Sequence, residues 1–108
     1  MYKKNIKDEF EKDGFRLSLL DIEYKDVSIC MVNIDGSRET YCQIKNSPIY
    51  YYIIEGEGTF YIEDEIVINK GDLIEIPANK KYTYKGNMKM LEMIPNAFNN
   101  LDVIEEKI

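Results

Sequence analysis

Histidine and tryptophan are absent from this 108-residue sequence, which has only three prolines and two cysteines. Histidine is the side chain that most often carries protons near neutral pH, and it is the commonest metal ligand. Its absence therefore removes the usual base and the usual metal ligand together. No apolar run approaches the roughly 20 residues that span a bilayer, and no apolar stretch follows the charged N-terminus as in a secretory signal. We expect a cytoplasmic protein without a membrane partner.

The two cysteines are Cys30 and Cys42. They lie in different predicted strands and lack the C-x-x-C spacing of redox and zinc motifs. In a reducing cytosol such cysteines are most often buried thiols. A disulfide or a metal-binding pair is the alternative.

The charge balance is acidic, with a net charge of −6 and a pI of about 4.7. Such a surface repels nucleic acid phosphates, so we expect no nucleic acid partner. The compact basic spots are Lys3-Lys4 and Lys80-Lys81. Both pairs are predicted to be solvated surface rather than phosphate sites.

Short segments typical of β-strands follow one another from residue 15 onward, separated by turns. They are FRLSLLDIEY, VSICMVNI, ETYCQI, IYYYIIEGEG, GTFYIE, EIVIN, LIEIP, KYTYKG and KMLEMI. The pattern predicts one all-β domain over residues 15–108, an antiparallel sandwich or small barrel. Residues 1–14 are interpreted as an N-terminal arm that forms a short helical turn or stays loose. The final NNLDVIEEKI is a polar tail or a last edge strand.

The EGEG segment has the glycines of a phosphate-binding loop but not its context. Such loops need a third glycine and a following helix N-terminus. Here the next residues, TFYI, follow a strand pattern. Gly56 and Gly58 are therefore predicted to be turn residues.

The segment YYIIEGEGTFYIEDEIVINKGDLIEIPANKKYTYKG resembles the cupin family. The Glu-Gly-Glu-Gly corner, the hairpin, the Gly-Asp turn and the Ile-Pro corner come in that family's order and spacing. The resemblance covers residues 36–95 and implies a double-stranded β-helix, or jelly-roll barrel, with antiparallel sheets. A family glycine is replaced by Asn79, which also accepts the left-handed backbone conformation that the corner requires.

The resemblance also places the family's four metal ligands, which are usually three histidines and a glutamate. In this sequence those positions read Cys42, Ile44, Ile49 and Tyr82. Two of these side chains have no donor atom, a tyrosine would have to lose a proton with a pKa of about 10, and a single thiolate holds a metal poorly. We expect no metal and no other cofactor.

If the ligand positions point inward, as the resemblance implies, strand alternation predicts the lining of the barrel. Ile53 and Ile62 are also expected to face the interior. The candidate ligand-binding residues are Thr40, Cys42, Ile44, Ile49, Tyr51, Phe60, Tyr82 and Tyr84. Such an interior is apolar and aromatic, with a few hydroxyls that can orient a ligand.

Three functions remain open. The first is metal-independent binding of a small, partly apolar molecule with no identifiable catalysis. The second is a metal-independent isomerase, epimerase or lyase acting on a sugar-like substrate, in which Tyr82 or Tyr84 is the acid. That function needs an inward carboxylate as base, whereas we expect Glu75 and Glu92 on the outer face. The third is a structural or interaction module whose barrel is solid.

Several aromatic side chains alternate away from the interior. They are Tyr41, Tyr50, Tyr52 and Tyr61, alongside Ile54. A large aromatic surface is costly to leave in water and indicates a partner. Because many small cupins pair through sheets or exchanged N-terminal strands, the resemblance implies a homodimer. The alternative is that the N-terminal segment covers these tyrosines within one chain.

Overall fold

The computed structural model describes residues 3–4, 6–12, 15–20, 27–95 and 103–108, and all its secondary structure there is β-strand. The strands are β1 (Ile6–Lys12), β2 (Phe15–Leu20), β3 (Ser28–Ser37), β4 (Thr40–Ile44), β5 (Ile49–Ile62), β6 (Asp64–Asn69), β7 (Leu73–Ile76), β8 (Thr83–Ile94) and β9 (Val103–Lys107). The all-β prediction is confirmed. Within these ranges there is no helix that could cross a membrane.

Two antiparallel sheets form the molecule. The larger has the strand order β1-β2-β3-β8-β5-β6, and β7 also pairs with β5, while β4 and β9 form the smaller sheet. The long β5 pairs with β7 through its first residues and with β6 through its last ones. An isolated β-bridge between Cys42 and Tyr82 helps to connect the small sheet to the segment that leads into β8. The antiparallel architecture is as predicted.

Both ends of the chain add strands. Ile6–Lys12 pairs with β2, so the interpretation of this segment as a helical turn or a loose arm is wrong. Backbone pairing at a sheet edge supplied the hydrogen-bond partners that this polar segment lacks on its own. The division into an arm and a domain at residue 14 stays a prediction. Near the C-terminus, Val103–Lys107 pairs with β4, which confirms the edge-strand alternative.

The EGEG glycines lie inside β5, not in a turn as predicted. Gly58 pairs with Gly86 of β8, and a Cβ on Gly86 would lie 2.6 Å from the Gly58 Cα. Gly56 has a φ of 85°, and a Cβ there would lie 2.0 Å from the carbonyl oxygen of Asn87. The ladder shifts register between Ile53 and Glu55 just before this point. Only glycine permits the bent strand to pass so close to its neighbour.

The turns use the residues that their backbone requires. Asn79 has a φ of 69°, which confirms the expected left-handed corner. Its backbone N–H donates to the backbone carbonyl of Ile44 at 2.7 Å. Glu63, in the β5–β6 hairpin, has a φ of 68° although it is not a glycine. Its carboxylate pairs with Lys80, which joins the hairpin to the Asn79 corner.

The core is continuous and lies against the inner faces of the strands. Both cysteines are free and buried, as predicted. The core cluster consists of Phe15, Val32, Ile34, Cys42, Ile44, Ile49, Tyr51, Ile53, Phe60, Ile68, Ile74, Ile76, Tyr82, Tyr84, Met88, Met90 and Ile94.

Neighbouring side chains partly cover the outward tyrosines. Lys81 lies 4.8 Å from the ring centre of Tyr41, and Lys85 lies 5.7 Å from that of Tyr61. Tyr50 donates a hydrogen bond to Glu75. Tyr52 is 41% exposed. The N-terminal strand lies beyond β2 and β3 in the sheet, away from the β5 strand that carries three of these tyrosines.

Candidate functional site

Four aromatic rings from two strands and one strand entry fill the centre of the core. Tyr51 and Phe60 belong to β5, Tyr84 to β8, and Tyr82 precedes β8 at its bridge to Cys42. Their ring centres lie 4.9–6.4 Å apart, and each side chain is at most 1% exposed. Tilted, edge and stacked contacts at these distances are typical of packed aromatic clusters. All four were predicted to point inward.

A chain of hydrogen bonds links two of these rings to a carboxylate. Tyr51 Oη donates to Glu92 Oε2 at 2.8 Å, and the oxygens of Tyr51 and Tyr82 are also 2.8 Å apart. Since Tyr51 has one hydroxyl proton and gives it to the carboxylate, Tyr82 donates to Tyr51. The direction of the chain is therefore Tyr82 to Tyr51 to Glu92.

Glu92 faces the core side of β8, and its predicted outward position is wrong. It stands opposite Tyr51 on β5 and opposite Cys30 on β3, and both of those side chains are buried. The alternation of β8 contained the signal, because Met90 and Met88 are core residues two and four positions before Glu92. We missed it because a carboxylate is normally solvated. Glu75 is exposed, as predicted.

A buried arginine is the second charged group of the site, and sequence reasoning missed it. Arg38 is 6% exposed and lies between β3 and β4. Its guanidinium carbon lies 4.8 Å from the ring centre of Phe15 and 5.4 Å from that of Tyr84, as in cation–π contacts. It also donates to Thr40 Oγ1 at 3.3 Å. No pattern distinguishes this arginine from the charged residues around it, because its burial depends on strands distant in the chain.

Burial shifts the proton affinities of the cluster. It raises the pKa of Glu92 above its ordinary value, against the opposing effects of the Tyr51 hydrogen bond and the Arg38 charge. Burial also raises the pKa values of Tyr51 and Tyr82 well above 10. The tyrosines thus stay protonated, while the carboxylate becomes a stronger base than a solvated glutamate.

One hydroxyl of the cluster has no partner. Tyr84 Oη is buried and makes no hydrogen bond with the described residues. Burial raises the pKa of Tyr84, and the Arg38 charge and the Tyr51 hydroxyl oppose this effect. Tyr51 nevertheless makes its hydrogen bonds with Tyr82 and Glu92.

The remaining predicted site residues surround this cluster. Cys42, Ile44 and Ile49 are buried, and burial raises the pKa of the Cys42 thiol, so it is a poor nucleophile. Thr40 is half-buried and accepts the hydrogen bond from Arg38. The structure thus brings the predicted residues together, and their assignment to ligand binding stays a prediction.

The side chains at the family's metal positions do not fit a metal ion. Ile44 and Ile49 present only carbon atoms, and the Tyr82 hydroxyl is engaged with Tyr51. A transition metal in a protein needs three or four converging N, O or S donors. Across the described ranges no group of three or more cysteine, aspartate or glutamate side chains could supply them.

No family model matches the sequence, and no curated protein matches it either. Solved structures do. Streptomyces Pac13, a nucleoside dehydratase, has a TM-score of 0.90 at 24% identity, over 100% of this chain and 92% of that one. Ectoine synthase from P. lautus has a TM-score of 0.77 at 20% identity, over 89% and 78%. An RmlC-like cupin from Shewanella frigidimarina has a TM-score of 0.65 at 18% identity, over 86% and 85%.

At these identities the likeness concerns the fold. The antiparallel sheets, the long bent β5 and the order of strands agree with the architecture that the sequence resemblance implied. The protein therefore has the cupin fold, in a chain that contains no histidine.

Proposed function

We propose that this protein binds a small, partly apolar, sugar-like molecule in its barrel and transfers a proton on it without a metal, as a lyase or isomerase. The hydrogen bond from Tyr51 to Glu92 on the inner face of the barrel carries this proposal. An inward carboxylate within reach of a tyrosine was the one element that the sequence interpretation lacked.

The cluster has the parts of an acid–base pair. Glu92 is the base, because burial strengthens its proton affinity and one hydrogen bond leaves the carboxylate with further acceptor positions. A tyrosine is the acid, because its pKa keeps it protonated at neutral pH. In an elimination, the carboxylate takes a carbon-bound proton as the C–H electron pair forms a double bond. The departing oxygen receives a proton from the tyrosine.

We propose that a substrate enters from the side of the carboxylate. Tyr51 and Tyr82 are sealed in the core, whereas Glu92 keeps part of its surface exposed. The hydrogen-bond chain thus runs from the sealed core toward solvent. A proton taken up by the carboxylate is exchanged along this chain or with water.

The comparisons support small-molecule chemistry in such a barrel. Pac13 is a nucleoside dehydratase, and variants with one histidine or one tyrosine substituted were solved with uridine. KdgF from Halomonas is a further neighbour, with a TM-score of 0.70 at 14% identity over 82% of this chain and 86% of that one. Because this chain has no histidine, we propose that Glu92 supplies its base.

Isotope exchange tests the proposal. The protein is incubated in D₂O with a panel of aldoses, ketoses and nucleosides, including uridine, and proton NMR follows each carbon-bound proton. We expect loss of one C–H signal, or new alkene signals, for at least one compound. The reaction should persist in EDTA and disappear in Glu92→Gln, which keeps the shape and an acceptor for Tyr51 but removes the base.

Glu75→Gln is the matched control, because this glutamate is exposed and hydrogen-bonded to Tyr50 on the outside. Its activity should equal that of the wild type. If no compound exchanges a proton, or if Glu92→Gln remains fully active, the catalytic proposal is wrong.

A solid-cored interaction module is the second candidate, and the close packing of four fully buried rings favours it. Two surface clefts have volumes of about 900 and 720 Å³; the larger reaches the core residues Phe15, Ile34 and Met88, and neither cleft is lined by Tyr51, Tyr82 or Tyr84. A crystal structure soaked with the compounds of the panel distinguishes the candidates. A ligand beside Tyr51 excludes the solid core.

A further inference from the structure

We propose that the Tyr84 hydroxyl is a donor reserved for an uncharged acceptor oxygen of the ligand, a carbonyl or a hydroxyl, and that the ligand part bound there is electrically neutral. The inference deepens the proposed function and rests on it for the presence of a ligand in the barrel. It concerns different residues, since Tyr84 and Arg38 are not members of the hydrogen-bond chain formed by Tyr82, Tyr51 and Glu92.

The first observation is the unpartnered hydroxyl itself. Among the described residues, Tyr84 Oη is the buried side-chain polar atom without a hydrogen bond, and the side chain is 1% exposed. A buried hydroxyl without a partner costs free energy, so a native protein normally satisfies it. A phenylalanine would pack in the same place without that cost. The hydroxyl therefore fits a role that begins only when a ligand arrives.

The second observation is the positive charge close to that hydroxyl. The guanidinium of Arg38 lies against the Tyr84 ring, and its positive charge lowers the pKa of Tyr84 against the dominant, opposing effect of burial. A neighbouring cation makes the phenol a better donor and favours an electron-rich oxygen beside it. The ligand atom at this place is thus an acceptor.

The charges of the site decide between a neutral and an anionic acceptor. Arg38 contributes one positive charge and Glu92 one negative charge; burial raises the pKa of Glu92, and the Arg38 charge opposes this effect. Together these two side chains give this part of the described core no net charge. An anionic ligand would add a second buried negative charge near Glu92, and such a charge is expensive to bury without its own partner. A neutral carbonyl or hydroxyl oxygen adds none.

The ligand-free protein provides the first test. Tyr84→Phe removes a hydroxyl that has no partner, so we expect a melting temperature equal to or above that of the wild type. Tyr51→Phe is the matched comparison, because it removes a hydroxyl with two hydrogen bonds and should lower the melting temperature. If Tyr84→Phe destabilises as much as Tyr51→Phe, the Tyr84 hydroxyl is satisfied without a ligand and the proposal is wrong.

Acetamide and acetate provide the second test, since they share shape and size but differ in charge. Protein with ¹³C-labelled tyrosine is titrated with each compound, and the Tyr84 signals are assigned by their loss in Tyr84→Phe. We expect acetamide to shift them saturably, and acetate to bind at least about tenfold more weakly, a difference of about 1.4 kcal/mol. No shift with acetamide, or tighter binding of acetate, would overturn the proposal.

The two proposals fail separately. Deuterium exchange depends on Glu92 and tests catalysis, whereas the Tyr84 shifts and the stability of Tyr84→Phe need no turnover. A protein that binds acetamide at Tyr84 but exchanges no proton keeps this inference and loses the catalytic one.

Discussion

Single residues give the interior of this barrel its character, because one carboxylate, one guanidinium and three phenols meet inside an otherwise apolar core. The hydrogen-bond chain from Tyr82 through Tyr51 to Glu92 satisfies most of these groups. Tyr51 is central, since it accepts from one neighbour and donates to the other. Removal of its hydroxyl therefore breaks the hydrogen bonds to both neighbours.

Tyr51→Phe should lower the free energy of unfolding by about 1–3 kcal/mol, because it leaves the partly buried Glu92 carboxylate without this donor and the Tyr82 hydroxyl without its acceptor. Chemical denaturation at neutral pH measures this change. Tyr82→Phe is the matched control and should cost less, since Tyr51 still donates to Glu92 when the end of the chain is removed. An equal or larger loss in Tyr82→Phe would contradict the assigned direction of the chain.

Glu92 should make the protein less stable as the pH rises. Its folded pKa lies above its ordinary value, so the folded state binds its proton more tightly than the unfolded state does. Stability from this group is therefore full below its unfolded pKa of about 4.3 and falls as the pH rises through the raised folded pKa. Urea denaturation at a series of pH values should show the fall in the wild type and a smaller one in Glu92→Gln. An identical profile in both proteins would contradict burial as the cause.

At the scale of elements, the crossing of β5 with β8 shapes the barrel. The two strands pair along most of their length, and glycines occupy the places where the backbones come closest. The bend at Gly56 directs the first part of β5 to β7 and the last part to β6. Tyr51 and Phe60 thereby reach the same core from the two ends of one strand.

Gly56→Ala should be much more destabilising than Gly71→Ala. Both glycines have positive φ values, 85° and 91°, so both substitutions cost about 1–2 kcal/mol of backbone strain. Only at Gly56 would the new Cβ overlap a carbonyl oxygen, whereas at Gly71 it would have nothing within 4 Å. We expect a further loss of about 1–3 kcal/mol for Gly56→Ala in thermal or urea denaturation. Equal losses would mean that the strands separate easily there.

At the scale of the whole molecule, the outer face of the larger sheet carries an apolar row. Register pairs align Met31 on β3, Leu91 on β8, Tyr52 on β5 and Leu73 on β7. Tyr52 is 41% and Leu73 is 61% exposed. This row is a more specific basis for the predicted homodimer than the outward tyrosines together, because lysines cover two of those.

Leu73→Lys should weaken the predicted homodimer by placing a charge in the apolar row. Sedimentation velocity over a range of concentrations measures the change, and we expect a dimer for the wild type and a shift toward monomer for the variant. Val67→Lys is the matched control, because Val67 is 71% exposed but lies in the β5–β6 hairpin outside the row. A wild-type protein that stays monomeric at all concentrations would contradict the prediction.

Turn residues and strand alternation are local properties, and they predicted an antiparallel all-β domain, while the resemblance to the cupin family implied the jelly-roll barrel. The buried cysteines were predicted from their number and spacing, whereas the left-handed Asn79 and the inward positions of four aromatic residues were implied by the resemblance: Tyr51, Phe60, Tyr82 and Tyr84. The polar N-terminal segment was misread, since its strand exists only through pairing with β2.

Only the tertiary structure decided which charged groups face the interior. Glu92 and Arg38 look like solvated residues in the sequence, and their burial depends on strands far apart in the chain that bring Tyr51, Tyr84 and Phe15 against them. A buried charge is tolerated when partners are present at the same place, and a linear pattern does not contain those partners. The all-β class is therefore readable from local periodicity and the barrel from the order of its motifs, whereas the chemistry of its interior arises from contacts between distant residues.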